Sequence, residues 1–384
     1  MAKTETMAKT ETTAETTMAE EHPLFDYIRR NELGADLRLE TPFGGRAVLY
    51  ADYTASGRAL SFIEDYVRSD VLPTYGNTHT LGSKTGRQSS EFVAEARQMI
   101  KEYLGCNSDR SDNADQLLFV GSGSTAYANH LVRLLGLEAS SPEARARARA
   151  LPVAQRPLVF VGPYEHHSNL LPWRDSAADV VQVGEAAGGG PDLAQLEALL
   201  LAAKAEGRPL LVGAFSAASN VTGILTDVDA VTLLLHTHGA LALWDYASAA
   251  PYLPVQMNPR DADAARAALL AKDAIYFSPH KLAGGPQTPG VLVFKKRLAR
   301  RGASAAPGGG TIFFVGREEH VYLKAAEERE EGGTPPIVGA VPPHISPYLP
   351  ISPHISSYLL ISPHVSLGTP SHRGCGARAP RHAA

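Results

Sequence analysis

Cysteine is scarce in this chain of 384 residues: Cys106 and Cys375 are the only two. Two thiols exclude a disulfide framework and a four-thiolate metal centre, and they suit a reducing compartment. Long apolar runs are lacking too, since none approaches the roughly 20 residues that a membrane span needs. The opening residues, MAKTETMAKTETTAETTMAEE, hold no apolar stretch of the kind a secretory signal requires and too many acids for a transit peptide. Charge of one sign is missing as well. A formal net charge of −4 gives no electrostatic reason to expect nucleic acid or an anionic membrane as a partner. The address expected from these absences is cytoplasmic.

What is present is ordinary globular material, 44% apolar and 20% charged, enough for a large core. Residues 1–22 carry a doubled MAKTET and read as a disordered, solvated tail. From about residue 115 to 295 short apolar runs alternate with helical patterns. Strands are expected at QLLFV (116–120), PLVFVG (157–162), LLVGAF (210–215), GALALWDY (239–246), DAIYFS (273–278) and GVLVF (290–294). Helices are expected over 126–137 and 192–207, the latter with Asp192 as N-cap, Gln195 completing a capping box and Gly207 closing it. This alternation predicts an α/β fold, a mostly parallel sheet with helices on both faces and functional loops at the carboxyl ends of the strands. Beyond residue 340 the character changes to PHISPYLPIS, PHISSYLLIS and PHVS, a Pro-rich repeat that forbids helix and interrupts strands. The expected organisation is therefore a tail at 1–22, one domain at 23–340, and a low-complexity tail at 341–384.

Several motifs carry chemistry. SPHKLAGG (278–285) follows a predicted strand. A lone Lys there is usually a surface residue, but Lys281 follows Ser278 and His280 and precedes a Gly pair that admits close backbone approach. A desolvated amine has a lowered pKa and can attack an aldehyde. Asp245, in WDYAS, ends an apolar strand. It is either a turn aspartate or a carboxylate that holds a proton on a pyridine nitrogen. GSGST, with Ser122, Gly123, Ser124 and Thr125, lies between a strand and a helix and forms a phosphate cradle of backbone N–H groups and hydroxyls. With Ala126 it also fits a dinucleotide fingerprint, which asks for an acid about 20 residues on at a strand end. The Arg/Ala-rich insertion at that distance argues against it. In YEHHSN (164–169) a flat imidazole suits stacking on an aromatic group better than metal ligation, the alternative being a capping histidine. Asn220, in ASNVTG, offers an amide for a phenolic oxygen, unless it is merely a turn. HTHG (236–239) is assigned to helix-dipole capping.

Taken in order, GSGST, EHHSN, ASNVTG, DYAS and SPHK resemble the class V aminotransferase family, which includes cysteine desulfurases and related lyases. The resemblance runs from YADYTASGR (50–58) to EEGGTPPIV (330–338). It implies the large domain of a pyridoxal 5′-phosphate (PLP)-dependent transferase of fold type I, acting on an amino acid. Lys281 would carry the cofactor as a Schiff base and Asp245 would pair with the pyridine nitrogen. His166 would stack on the ring, and Asn220 would bond the phenolic oxygen. Ser122, Gly123, Ser124, Thr125, Ser278 and His280 would hold the phosphate. Thr334 would reach the phosphate of a second subunit, implying a homodimer. Ser248 stands where desulfurases commonly carry a longer Gln. The family's C-terminal small domain, source of a carboxylate-binding arginine and of the desulfurase cysteine loop, is expected to be largely missing, its place taken by the Pro-rich repeat. The rival readings are a PLP-binding protein with little turnover and, more weakly, a dinucleotide-binding oxidoreductase.

Overall fold

The structure is a computed structural model that describes residues 23–78, 82–299 and 302–340. The two expected tails, 1–22 and 341–384, lie outside the described residues, and so does the place of the C-terminal small domain. Helix α1 (Pro23–Asn31) and a hairpin of β1 (Arg38–Thr41) and β2 (Gly44–Ala47) come first, then helices α2 (Ser61–Tyr66) and α3 (Lys84–Tyr103). The alternating part runs through β3 (Asp115–Val120), α4 (Gly123–Leu134), α5 (Pro142–Arg149), β4 (Leu158–Val161), α6 (His167–Arg174) and β5 (Asp179–Gln182). It continues through α7 (Leu193–Ala205), β6 (Leu211–Ser216), α8 (Val228–Thr237), β7 (Leu241–Asp245), α9 (Ala264–Leu270), β8 (Ala274–Phe277) and β9 (Gly290–Lys295). A second hairpin, β10 (Ile312–Val315) with β11 (His320–Tyr322), precedes helix α10 (Ala326–Glu330).

Strands β3 to β9 form a 7-stranded sheet in the order β3-β9-β8-β7-β6-β4-β5. Pairs among β4 to β8 are parallel, while β9 runs antiparallel to both β8 and β3. Strands β4, β6, β8 and β9 are buried along their whole length, which explains their apolar runs, interrupted only at the strand ends by Ser216 and Lys295. Their alternating side chains feed two core layers. Phe160, Phe215, Trp244, Ile275 and Val293 pack with residues of α3, α7 and α8 on one face. Val159, Val212, Leu243, Leu292 and Phe294 pack with Tyr127 and Leu131 of α4 and Trp173 of α6 on the other. The chain thus adopts the α/β class with helices on both faces. Close packing demands Gly213 in β6, where an added Cβ would lie 2.4 Å from a Leu235 methyl of α8.

Local details depart from expectation in instructive ways. Asp192 caps α7 through the Gln195 N–H at 3.0 Å, but the Gln195 side chain accepts from the Gly184 N–H of the preceding strand exit instead of closing a capping box. A tertiary donor out-competes the local one. His236 does more than cap a dipole: its ring bridges Asp273 at 2.9 Å and the Leu269 carbonyl at 2.6 Å, tying α8 to the α9–β8 turn. The edge strand β5 has no counterpart among the expected strands; its apolar content is the single pair Val180–Val181, both partly exposed.

Candidate active site

Strand β3 runs in the same sense as β4 to β8, because β9 is antiparallel to both of its neighbours. The carboxyl ends of β3, β4, β6, β7 and β8 therefore face one way, and the loops that leave them surround a cleft of about 880 Å³. Ser122, Gly123, Ser124, Thr125, His166, Asn220, Asp245, Ser248, Ser278, His280 and Lys281 all line it. Thr334 does not. It is exposed elsewhere, and its hydroxyl accepts from the Asn77 amide at 3.2 Å.

The loop after β3 turns on Gly121 (φ 37°) and Gly123 (φ 57°) into α4, whose N-cap, Ser122, makes no side-chain capping bond. A Cβ on Gly123 would lie 2.8 Å from the Ser278 hydroxyl oxygen and 3.7 Å from His280 Nε2, so only glycine leaves that cradle open. The buried Ser124 joins three strand ends. Its N–H donates to Ser278 Oγ at 3.0 Å, its hydroxyl lies 3.0 Å from the same atom, and it donates to Asp245 Oδ1 at 3.5 Å. Thr125 and Ser168 share a hydroxyl pair at 2.7 Å across α4 and α6.

Asp245 is buried, and burial pushes its carboxyl up to about 6, opposed by the Ala247 N–H at 2.8 Å, the charge of Lys281 and the Ser124 hydroxyl. Lys281 sits on the turn after β8, and its Nζ has no hydrogen-bond or ion-pair partner among the described residues. Burial lowers its pKa and Asp245 opposes the shift. His166 is the N-cap of α6, its Nδ1 accepting from the Ser168 N–H at 3.2 Å, and it lines the cleft. Burial first, then Lys281 and His167, hold it below the ordinary histidine range. An open glycine cradle at a helix N-terminus suits a phosphate; a free, partly desolvated amine suits an aldehyde; a buried carboxylate that forms no ion pair among the described residues suits a protonated pyridine nitrogen. The residues present fit PLP.

Two features escaped the sequence reading. Glu165, beside His166, gathers four donors: the Gly162 N–H (3.2 Å), the Ser216 N–H (2.9 Å), the Ser216 hydroxyl (2.6 Å) and the Asn169 amide (2.6 Å). It clamps the ends of β4 and β6 to α6 directly beneath the cleft, and burial pushes it up to about 7 against those bonds. The second is the place of segment 50–58 in the cleft wall, since from the sequence it marks only where the resemblance begins. Gly57 N–H donates to the His280 carbonyl at 2.7 Å, and a Cβ on Gly57 would lie 1.9 Å from the Leu282 carbonyl oxygen. This contact brings Asp52, Thr54, Ala55 and Ser56 into the cleft wall. A separation of more than 200 residues along the chain hid it.

Among the described residues nothing about β3 supports a dinucleotide site, since its one sheet neighbour there is the antiparallel β9 and no parallel strand follows α4 beside it. A family model described as "Aminotransferase class-V" matches residues 49–342. The chain belongs to the class-V aminotransferase family. That family is PLP-dependent. Similar curated proteins include a "Probable cysteine desulfurase" of Halalkalibacterium halodurans, 26% identical over 79% of this chain and 66% of that protein. A "Cysteine desulfurase" of Escherichia coli is 27% identical over 79% of this chain and 67% of its own length. A "Probable cysteine desulfurase 1" of Mycobacterium leprae is 24% identical, with 40% of its length covered. The chain thus spans about two thirds or less of these relatives. Among solved structures, the apo cysteine desulfurase of Thermococcus onnurineus superposes with a TM-score of 0.62 at 21% identity, covering 84% of this chain and 70% of that one. No helix among the described residues is long and apolar enough to cross a membrane.

Proposed function

We propose that this chain binds PLP through Lys281 and acts on the amino group of a free amino acid, with cysteine-desulfurase-type chemistry as the leading reaction. The observation that supports this reading best is the convergence of Lys281, Asp245, His166 and the 121–125 cradle on one cleft from separate strand ends. PLP, when bound, supplies an aldehyde for amines and an electron-withdrawing ring that stabilises negative charge on the amino acid's α-carbon. The chain's own residues do the rest. Burial lowers the pKa of Lys281, which favours the neutral amine that would attack an aldehyde and would later take a proton from the substrate α-carbon. Asp245 supplies the negative charge that keeps a ring nitrogen protonated. With PLP bound, Ser122, Gly123, Ser124, Thr125, Ser278 and His280 would hold the phosphate, His166 would stack on the ring, and Asn220 and Ser248 would bond the phenolic oxygen. Thr334 serves the cleft of a second copy, in a homodimer.

Sulfur release is tested by adding cysteine to the cofactor-loaded chain under reducing conditions and measuring sulfide and alanine. Cys106 packs against the core and is not among the residues lining the cleft, and burial pushes its thiol up to about 12, which disfavours the thiolate. Cys106→Ser is expected to leave sulfide release unchanged. A loaded chain that reacts with other amino acids and yields no sulfide from cysteine would remove desulfuration and leave the PLP assignment standing.

A further inference from the structure

Among the described residues, Gln287 is the one non-glycine residue with a left-handed backbone, at φ 65°. A long unbranched side chain gains nothing from that conformation, because Cβ crowds the neighbouring carbonyl. Strain of this kind persists where the surroundings impose it, and here they do. The loop Gly284–Pro289 leads from the Lys281 turn into β9. A Cβ on Gly285 would lie 1.9 Å from the Pro279 carbonyl oxygen, so the loop is pressed on its own turn. The buried Thr288 closes it by donating its hydroxyl to the Gly285 carbonyl at 2.7 Å. Gly339 abuts the other side, where an added Cβ would come within 3.0 Å of the Gln287 carbonyl oxygen. The backbone is fixed while the side chain is exposed, lines the cleft that contains Lys281, and makes no hydrogen bond among the described residues. A strained residue with an unused carboxamide at the mouth of a cleft is doing something other than packing.

The substrate class decides what. An amino acid held by its amino group presents a carboxylate that must be desolvated and met by donors. Among the described residues no arginine lines the cleft, and Asp52 on the wall opposes an anion. Asn220 is committed to the cofactor in the reading above. We propose that Gln287 donates through its Nε2–H to the α-carboxylate of the substrate and so determines selection of amino acids over simple amines. The inference rests on the functional reading of the preceding subsection.

Two probes separate the possibilities, alanine and ethylamine, which share the amino group and differ by the carboxylate. Each is titrated into the full PLP-loaded chain and its Kd read from the shift of the visible band. The wild type is expected to bind alanine in preference to ethylamine. Gln287→Gly, whose backbone accepts φ 65° freely, should weaken alanine about tenfold and leave ethylamine unchanged, as expected for one hydrogen bond to a charged group. Gln287→Glu, close in shape, should weaken alanine further and tighten ethylamine. Thermal midpoints within a few degrees of wild type certify that the variants fold. An alanine-to-ethylamine ratio that is the same in all three proteins, or equal losses for both probes, would overturn the inference. A wild type that develops no visible band with PLP removes the functional reading itself, and this inference with it.

Discussion

Asp245→Asn is expected to make the cofactor-free protein more stable while disabling it. The carboxyl is buried, and burial raises its pKa from 3.8 to about 6. A raised carboxyl pKa means that the folded state holds its proton more tightly than the unfolded one. Folding therefore carries no penalty from this group below the unfolded value of 3.8, a growing penalty as pH rises from there through about 6, and the full penalty above it. A shift of about two units corresponds to roughly 3 kcal/mol at pH 8, and to about half of that at pH 5. Asparagine keeps the shape and can still accept the Ala247 N–H, so the variant should gain stability of that order at pH 8 and less at pH 5. Urea denaturation of both proteins without cofactor, at the two pH values, measures the gain. Loading with PLP should reverse the order, because a ring proton then neutralises the aspartate in the wild type alone, and α-proton exchange should fall by several powers of ten in the variant, each tenfold being about 1.4 kcal/mol of barrier. A variant no more stable than wild type at pH 8, or equally more stable at both pH values, would refute the buried-charge account of Asp245.

Gly123→Ala places a Cβ 2.8 Å from Ser278 Oγ on a backbone at φ 57°, so PLP affinity should fall at least tenfold while affinity for pyridoxal, which lacks the phosphate, changes little; competitive titration of the two compares them directly. Glu165→Ala leaves donors on Gly162, Ser216 and Asn169 without their acceptor and should destabilise the protein by about 2–4 kcal/mol, well beyond His166→Ala, as read by chemical denaturation. Equal losses for the two substitutions would mean that Glu165 does not hold the strand ends.

The sequence made legible what is local. Fully buried strands announce themselves as unbroken apolar runs, and β4, β6, β8 and β9 fall within one or two residues of expectation. The loops at the strand ends carry their chemistry in consecutive residues, and it was the resemblance to class V aminotransferases, not any one motif, that joined GSGST, DYAS and SPHK in a single expected site. What stayed hidden depends on distance. Gln195 found a better partner across a strand exit, His236 met an acid 37 positions away, and the 50–58 segment reached the cleft by lying against residues 280–284. Glu165 was hidden differently. It sits inside a motif already given to His166, and nothing in the residue types says that this acid, and not a solvated one, collects four donors. Gln287 looks like an ordinary loop residue until its φ is measured.

The central claim is that Lys281 carries the cofactor. The purified chain, incubated with PLP, should develop the visible band of a protonated imine, and borohydride should fix one label per chain on the peptide that contains Lys281, found by mass spectrometry of a digest. Lys281→Ala should show neither the band nor the label. A label on another lysine, or a reducible band that survives in Lys281→Ala, would contradict the account.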